Sequence, residues 1–359
     1  MNITQQVTSL GQSLWLDNLS RSLIHDGTLA RLIAEDGISG VTSNPSIFQN
    51  ALASSPYYAD DLAKLRASEP DAERRYEALV IPDIQAACDL LLPTFAASGG
   101  NDGYVSLEVA PRWAADAART VAEAQRLSSL VNRRNLLVKV PGTPAGISAF
   151  ETLTRLGINV NVTLLFSIAQ TEAAFNAYIR GLTARIQAGA DVRASRAVAS
   201  LFLSRVDTLV DTRLDSIGTP AALALRGKTG VAMAKLAYRR YLDIFHGAAV
   251  AALAQQGARP QTLLWASTGV KNPAYSDLLY VEPLIGRETI NTLPDKTLAA
   301  LTDHGQAGLT VENGVDEAAA QFDALERLGV RMEGIGASLQ TDGVNLFAAA
   351  FDKLLAQTA

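Results

Sequence analysis

Short apolar runs alternate with amphipathic segments along the whole chain. Eight runs read as strands: SLWLDNL (13–19), GVTSNPS (40–46), YVSLEVAP (104–111), LLVKVPG (136–142), INVNVTLLFS (158–167), AVASLFLSRVD (197–207), TLLWAST (262–268) and LLYVEPLIG (278–286). Between them apolar residues recur at helical spacing, as at Leu23, Ile24, Leu29, Leu32 and Ile33, and again at Ile147, Phe150, Leu153 and Leu156. Both faces of the strands are apolar, which is the pattern of a parallel sheet covered by helices. Eight such units predict an α/β fold, a closed (β/α)8 TIM barrel rather than an open doubly wound sheet.

Two connections are long. Residues 47–103, between strands 2 and 3, and residues 208–261, between strands 6 and 7, carry extra helical pattern. The spacing predicts two helices over 58–95, broken near Pro82, and one long helix over 229–256. After the eighth strand, residues 315–357 read as two or three further helices, a tail suited to folding across one face of the barrel. No repeat or linker divides residues 1–359, so one barrel domain is expected. Gly334-Ile-Gly336 lacks the third glycine and the strand–turn–helix context of a dinucleotide loop.

Composition narrows the partners. The chain has 359 residues, 48% hydrophobic and 19% charged, enough for a sizeable soluble core. Its net charge is −5 with no basic stripe, which speaks against nucleic acid. One cysteine excludes an intrachain disulfide and suits a reducing compartment. The first residues show no signal peptide, and the longest uncharged stretch, 156–171, is too short to span a bilayer. A cytoplasmic protein with no membrane partner is expected, acting as a monomer or homodimer. The three histidines are scattered, so no cofactor or metal site is expected from them.

Candidate chemistry lies in polar residues that break the strand pattern: Asp17, Asn44, Glu108, Lys139, Asn161, Thr163, Ser200 and Arg205, from six of the strands. Each has an ordinary alternative. Asp17 fits a helix cap, and Asn44 before Pro45 fits a turn. Glu108 and Lys139 fit a structural ion pair, and Asn161 and Thr163 fit hydrogen bonds to loop backbone. Arg205 fits a surface pair with Asp207 or Asp211. Together they converge on the carboxyl ends of barrel strands, where such barrels hold their active sites.

Lys139 is the most telling of them. The chain has 7 lysines against 24 arginines, so arginine is its usual source of charge. Guanidinium stays protonated, whereas a desolvated ammonium gives up its proton more easily and then attacks carbonyls. The resulting Schiff base is an electron sink for cleaving the adjacent carbon–carbon bond. That chemistry needs acid–base partners, which Asp17 and Glu108 are placed to supply.

The stretches LWLDNL, GVTSNPSIF, VSLEVAPR, NLLVKVPGTPAGISAF, GINVNVTLLFS, ASLFLSRVD and WASTGVKNPAYSD occur in one order across nearly the whole chain. In that combination the sequence resembles the transaldolases, most of all the longer bacterial ones. The resemblance implies a metal-free class I (β/α)8 enzyme of the pentose phosphate pathway that moves a dihydroxyacetone unit between sugar phosphates. It implies Lys139 as the Schiff-base residue and Asp17 as acid and base at the hydroxyl of the breaking bond. Glu108 would activate water, with Thr163 beside it. Asn44, Asn161 and Ser200 would hold the dihydroxyacetone hydroxyls, and Arg205 the phosphate. Where many relatives have Ser–x–Arg–Asn, this chain has Ser267-Thr-Gly-Val-Lys271-Asn272; Lys271 is taken as the second phosphate cation, with Ser267, Thr268 or Gly269 completing the site. A fructose 6-phosphate aldolase on the same barrel is the alternative enzyme, and Glu108 at the water-handling position favours the transaldolase. A silent sugar-phosphate-binding barrel is disfavoured by the set Asp17, Glu108 and Lys139.

Overall fold

The computed structural model describes residues 1–359. Eight parallel strands close into a barrel in chain order. They are β1 (Gln12–Leu16), β2 (Gly40–Thr42), β3 (Tyr104–Glu108), β4 (Leu136–Pro141), β5 (Val160–Leu165), β6 (Ala197–Phe202), β7 (Thr262–Ala266) and β8 (Thr289–Leu293). β1 pairs with β8 from Gln12↔Thr289 to Leu16↔Leu293, which shuts the ring. Strands β4, β5 and β6 are buried at every position, as a sheet covered on both faces requires.

The eighth strand is not where the apolar pattern put it. Residues 278–286 form turns and a short 3-10 turn at Glu282–Leu284, and the strand is the more polar Thr289–Leu293. Pro283 cannot donate to a ladder, whereas Thr289, Ile290 and Thr292 are β-branched and suit one. Leu278, Val281, Leu284 and Ile285 are nonetheless fully or almost fully buried, so their hydrophobicity reports a packed loop rather than a strand.

The helical insertions differ in detail as well. The break predicted near Pro82 lies earlier, at Pro70, between helices Ala59–Ser68 and Ala72–Ala97. Asp71 starts the second helix by accepting from the Arg74 N–H at 2.9 Å. That helix continues through Pro82 and Pro93 because burial of Leu79, Ile84, Ala87 and Leu91 outweighs the lost backbone bonds. It is long and apolar enough to cross a membrane by length and composition, and here its apolar face is buried in the fold. A buried strut ties this insertion to the segment after β1. Arg21 donates to Asp83 at 2.9 Å, to Asp61 at 2.8 Å and to the Leu79 carbonyl at 2.8 Å. Residues 229–256 also divide: the helix Thr229–Phe245 stops at His246-Gly247, and two short turns follow.

The tail is two helices, Val315–Arg327 and Met332–Thr358. The second lies across the carboxyl ends of β4 and β5. Gln340 donates to the carbonyls of Gly142 (2.8 Å) and Leu164 (3.1 Å), and Gln170 donates to that of Gly336 (3.2 Å). A Cβ on Gly336 would sit 2.9 Å from Ser167 Cβ, so glycine lets this helix approach the barrel closely. Gly336 is therefore a packing residue near the start of that helix, whereas Gly334 is exposed with no neighbour where a Cβ would stand.

Candidate active site

At the carboxyl ends of the strands lies a cavity of about 260 Å³. Lys139 lines it from β4, with only 5% of its surface exposed. Register places Lys139 between Glu108 on β3 and Asn161 on β5. Its Nζ donates to the Ser43 carbonyl at 2.9 Å and stands 3.5 Å from Glu108 Oε2. That carboxylate oxygen is buried and accepts no hydrogen bond. Burial pushes the Glu108 carboxyl up, Lys139 beside it pulls down, and the outcome is a pKa of about 7. Glu108 lies outside the cavity wall, beside the lysine amine.

Asp17 follows β1 directly, and its N–H extends the ladder to Leu293 O at 2.9 Å. Its side chain lines the cavity and accepts from Thr42 Oγ1 at 2.8 Å. Thr42 in turn lies 2.7 Å from Thr292 Oγ1. Burial raises the Asp17 pKa, and the nearby Lys139 charge opposes it. The helix-cap reading of Asp17 fails, because Ser20 caps the next helix by accepting from Leu23 N–H. Asn44 caps Pro45–Ser54 by accepting from Ile47 N–H at 3.0 Å, and it also lines the cavity.

Thr163 and Ser200 line the cavity, and the buried Thr163 hydroxyl has no partner in the protein. Asn161 lies behind them. It accepts from Ser200 Oγ at 2.7 Å and donates to Ser106 Oγ at 3.1 Å, so it reaches the cavity through Ser200. β6 ends at Phe202, and Arg205 sits in the first turn of the helix Ser204–Ile217, not on the strand. It pairs with neither Asp207 nor Asp211. Asp207 is taken by Tyr280 and Gly230 N–H, and Asp211 by Tyr275 and Gly227 N–H. Burial lowers the Arg205 pKa, with Asp17 and Glu108 opposing. Its Nη1 is buried without an acceptor, and a cation so placed invites an anion.

Past β7, Ser267, Gly269 and Lys271 line the rim, while Thr268 turns away and donates to Thr292 O at 2.7 Å. Ser267 adopts a φ of 54° and lies 2.8 Å from Ser204 Oγ. Eight wall residues were not among the sequence candidates: the polar Thr42, Ser46 and Thr292, and the apolar Phe202, Leu264, Ala266, Pro294 and Phe347. Thr292 was hidden by the misplaced eighth strand. Phe347 arrives from the last helix, 145 residues beyond Phe202, and covers Arg205 with its ring 5.9 Å from the guanidinium carbon.

A parallel barrel with titratable groups gathered at this end belongs to the enzymes that work at the carboxyl mouth of a (β/α)8 fold. Residues 14–358 match the family described as transaldolase/fructose-6-phosphate aldolase. The chain is 70% identical to the transaldolase of Thiobacillus denitrificans over 99% of both chains. It is 49% identical to that of Neisseria gonorrhoeae over 99% of both, and 46% identical to that of Thermobifida fusca over 99% of this chain and 97% of the other. The chain belongs to the transaldolase/fructose-6-phosphate aldolase family. It is an enzyme, a transferase, and the transaldolase reading fits these relatives better than the plain aldolase.

Proposed function

We propose that Lys139 is a Schiff-base nucleophile and that the enzyme carries a dihydroxyacetone unit from a ketose phosphate to an aldose phosphate. The single observation that supports this most is a buried amine at the cavity wall with a carboxyl near neutral pKa 3.5 Å away. Nζ bonds to the C2 carbonyl carbon, and the oxygen takes up a proton. The carbinolamine then loses water, with Glu108 exchanging protons through water and Thr163 beside it. Asp17 removes the proton of the C4 hydroxyl. The C3–C4 bond breaks, its electron pair enters the iminium to form an enamine, and the aldose phosphate leaves. The enamine adds to the acceptor aldehyde, Asp17 returns the proton, and water releases the new ketose.

Asn44 and Ser200, the latter steadied by Asn161, hold the hydroxyls of the three-carbon unit. Arg205, Lys271 and Ser267 hold the phosphate. Sedoheptulose 7-phosphate and glyceraldehyde 3-phosphate would yield erythrose 4-phosphate and fructose 6-phosphate, an exchange of the pentose phosphate pathway in the cytoplasm. The test is product analysis with fructose 6-phosphate, with and without erythrose 4-phosphate. Rapid sedoheptulose 7-phosphate formation only with acceptor supports transfer. Equal release of free dihydroxyacetone without acceptor would instead mean an aldolase.

A further inference from the structure

A second cavity, of about 720 Å³, opens among the loops that enter β3, β4, β5 and β6, at the end of the barrel away from Lys139. Its size is typical of a small-molecule site. Four arginines line it: Arg133, Arg134, Arg193 and Arg196. Two are paired, Arg133 with Asp89 at 2.6 Å and Arg193 with Asp191 at 3.0 Å. The other two make no ion pair. Arg134 lies over the Phe95 ring, its guanidinium carbon 5.0 Å from the centroid, and Phe95 meets Tyr104 edge-on at 5.3 Å.

Arg196 is the more informative. It is only 9% exposed. Nε donates to Gly100 O at 2.8 Å, and Nη1 donates to the carbonyls of Arg193 and Ser195 at 2.8 and 2.7 Å. These bonds stitch the loop before β3 to the loop before β6. They leave Nη2 without a protein acceptor and the charge without a counterion. Burial lowers its pKa, and Arg259 adds to that effect. A mostly buried guanidinium without a counterion, in a cleft lined by three other arginines, favours an anion there.

We propose that this cleft binds a small anion carrying two or more phosphate groups, with Arg196 and Arg134 as its principal ligands. Arg134 offers a whole guanidinium fork and Arg196 the N–H groups of Nη2, and two cations without counterions call for at least two negative charges. Phe95 and Tyr104 form an apolar floor beside those charges. The overall charge of −5 disfavours a nucleic acid here, whereas a small polyphosphate needs only the local field.

The test is calorimetric titration of inorganic triphosphate at fixed ionic strength. The site-bearing enzyme is compared with Arg134→Ala/Arg193→Ala, which alters exposed side chains, and with Arg205→Ala/Lys271→Ala in the other cavity. Saturable binding that survives the second variant and weakens about tenfold or more in the first is expected. Loss of binding in Arg205→Ala/Lys271→Ala, retention in Arg134→Ala/Arg193→Ala, equal binding of sulfate, or no binding at all would each overturn the proposal.

Discussion

Glu108 Oε2 stands 3.5 Å from Lys139 Nζ, with each side chain 6% exposed, on adjacent strands in matched register. Two ionisable groups share a nearly dry space, and burial leaves the carboxyl with a pKa of about 7. Below that pH Glu108 is neutral, and above it Glu108 is a carboxylate able to act as a base. Activity that needs the base therefore rises as pH rises through about 7. Glu108→Gln should lower kcat by about 10²–10⁴-fold and remove that inflection from the pH profile of kcat/KM. An unchanged inflection in the variant would assign it to another group.

The phosphate prediction separates binding from chemistry. Arg205 holds a buried donor with no protein acceptor, and Lys271 shares the same cavity. Replacing either by alanine should weaken kcat/KM for phosphorylated ketoses by about 10–100-fold, the loss expected for a charged hydrogen bond. Borohydride trapping of unphosphorylated dihydroxyacetone should continue in both variants. Steady-state kinetics and intact mass read the two effects separately.

The last helix owes its seat to a glycine. Gly336→Val would force atoms into Ser167, whose Cβ is 2.9 Å from the position of a Cβ at 336. A destabilisation of about 1–3 kcal/mol is expected. Because this helix carries Phe347 to the cavity, KM should rise as well. A thermal melt with matched kinetics checks both; a destabilised variant with unchanged KM would detach Phe347 from substrate binding.

Stability of the insertion rests on Arg21. Its removal leaves Asp83 buried with Tyr58 as its remaining side-chain donor, at 2.8 Å. Urea unfolding of Arg21→Ala should show a loss of roughly 3–5 kcal/mol, the scale for breaking one side of a buried ion pair.

The barrel, and the polar residues that gather at its carboxyl end, were both legible in the chain for a local reason. A parallel strand buried on both faces tolerates few polar residues, so Asp17, Glu108, Lys139, Thr163 and Ser200 stand out without coordinates. What escaped was non-local. LLYVEPLIG outscores TINTL in hydrophobicity, yet Pro283 and loop packing keep it from the sheet. Pro82 signals a break that tertiary burial overrides. Arg205 looked like a strand residue because β6 runs straight into its helix. Asn161 alternates correctly, but only its hydrogen bond from Ser200 reveals that it backs the wall rather than forming it. Phe347 belongs to the site solely through the packing of the tail.

Whether Lys139 forms the Schiff base is read by intact-mass measurement after incubation with fructose 6-phosphate and borohydride, on the wild type and Lys139→Ala. A gain of one reduced three-carbon adduct is expected in the wild type and none in the variant. No adduct in the wild type, or an adduct that persists without Lys139, would contradict that role for Lys139.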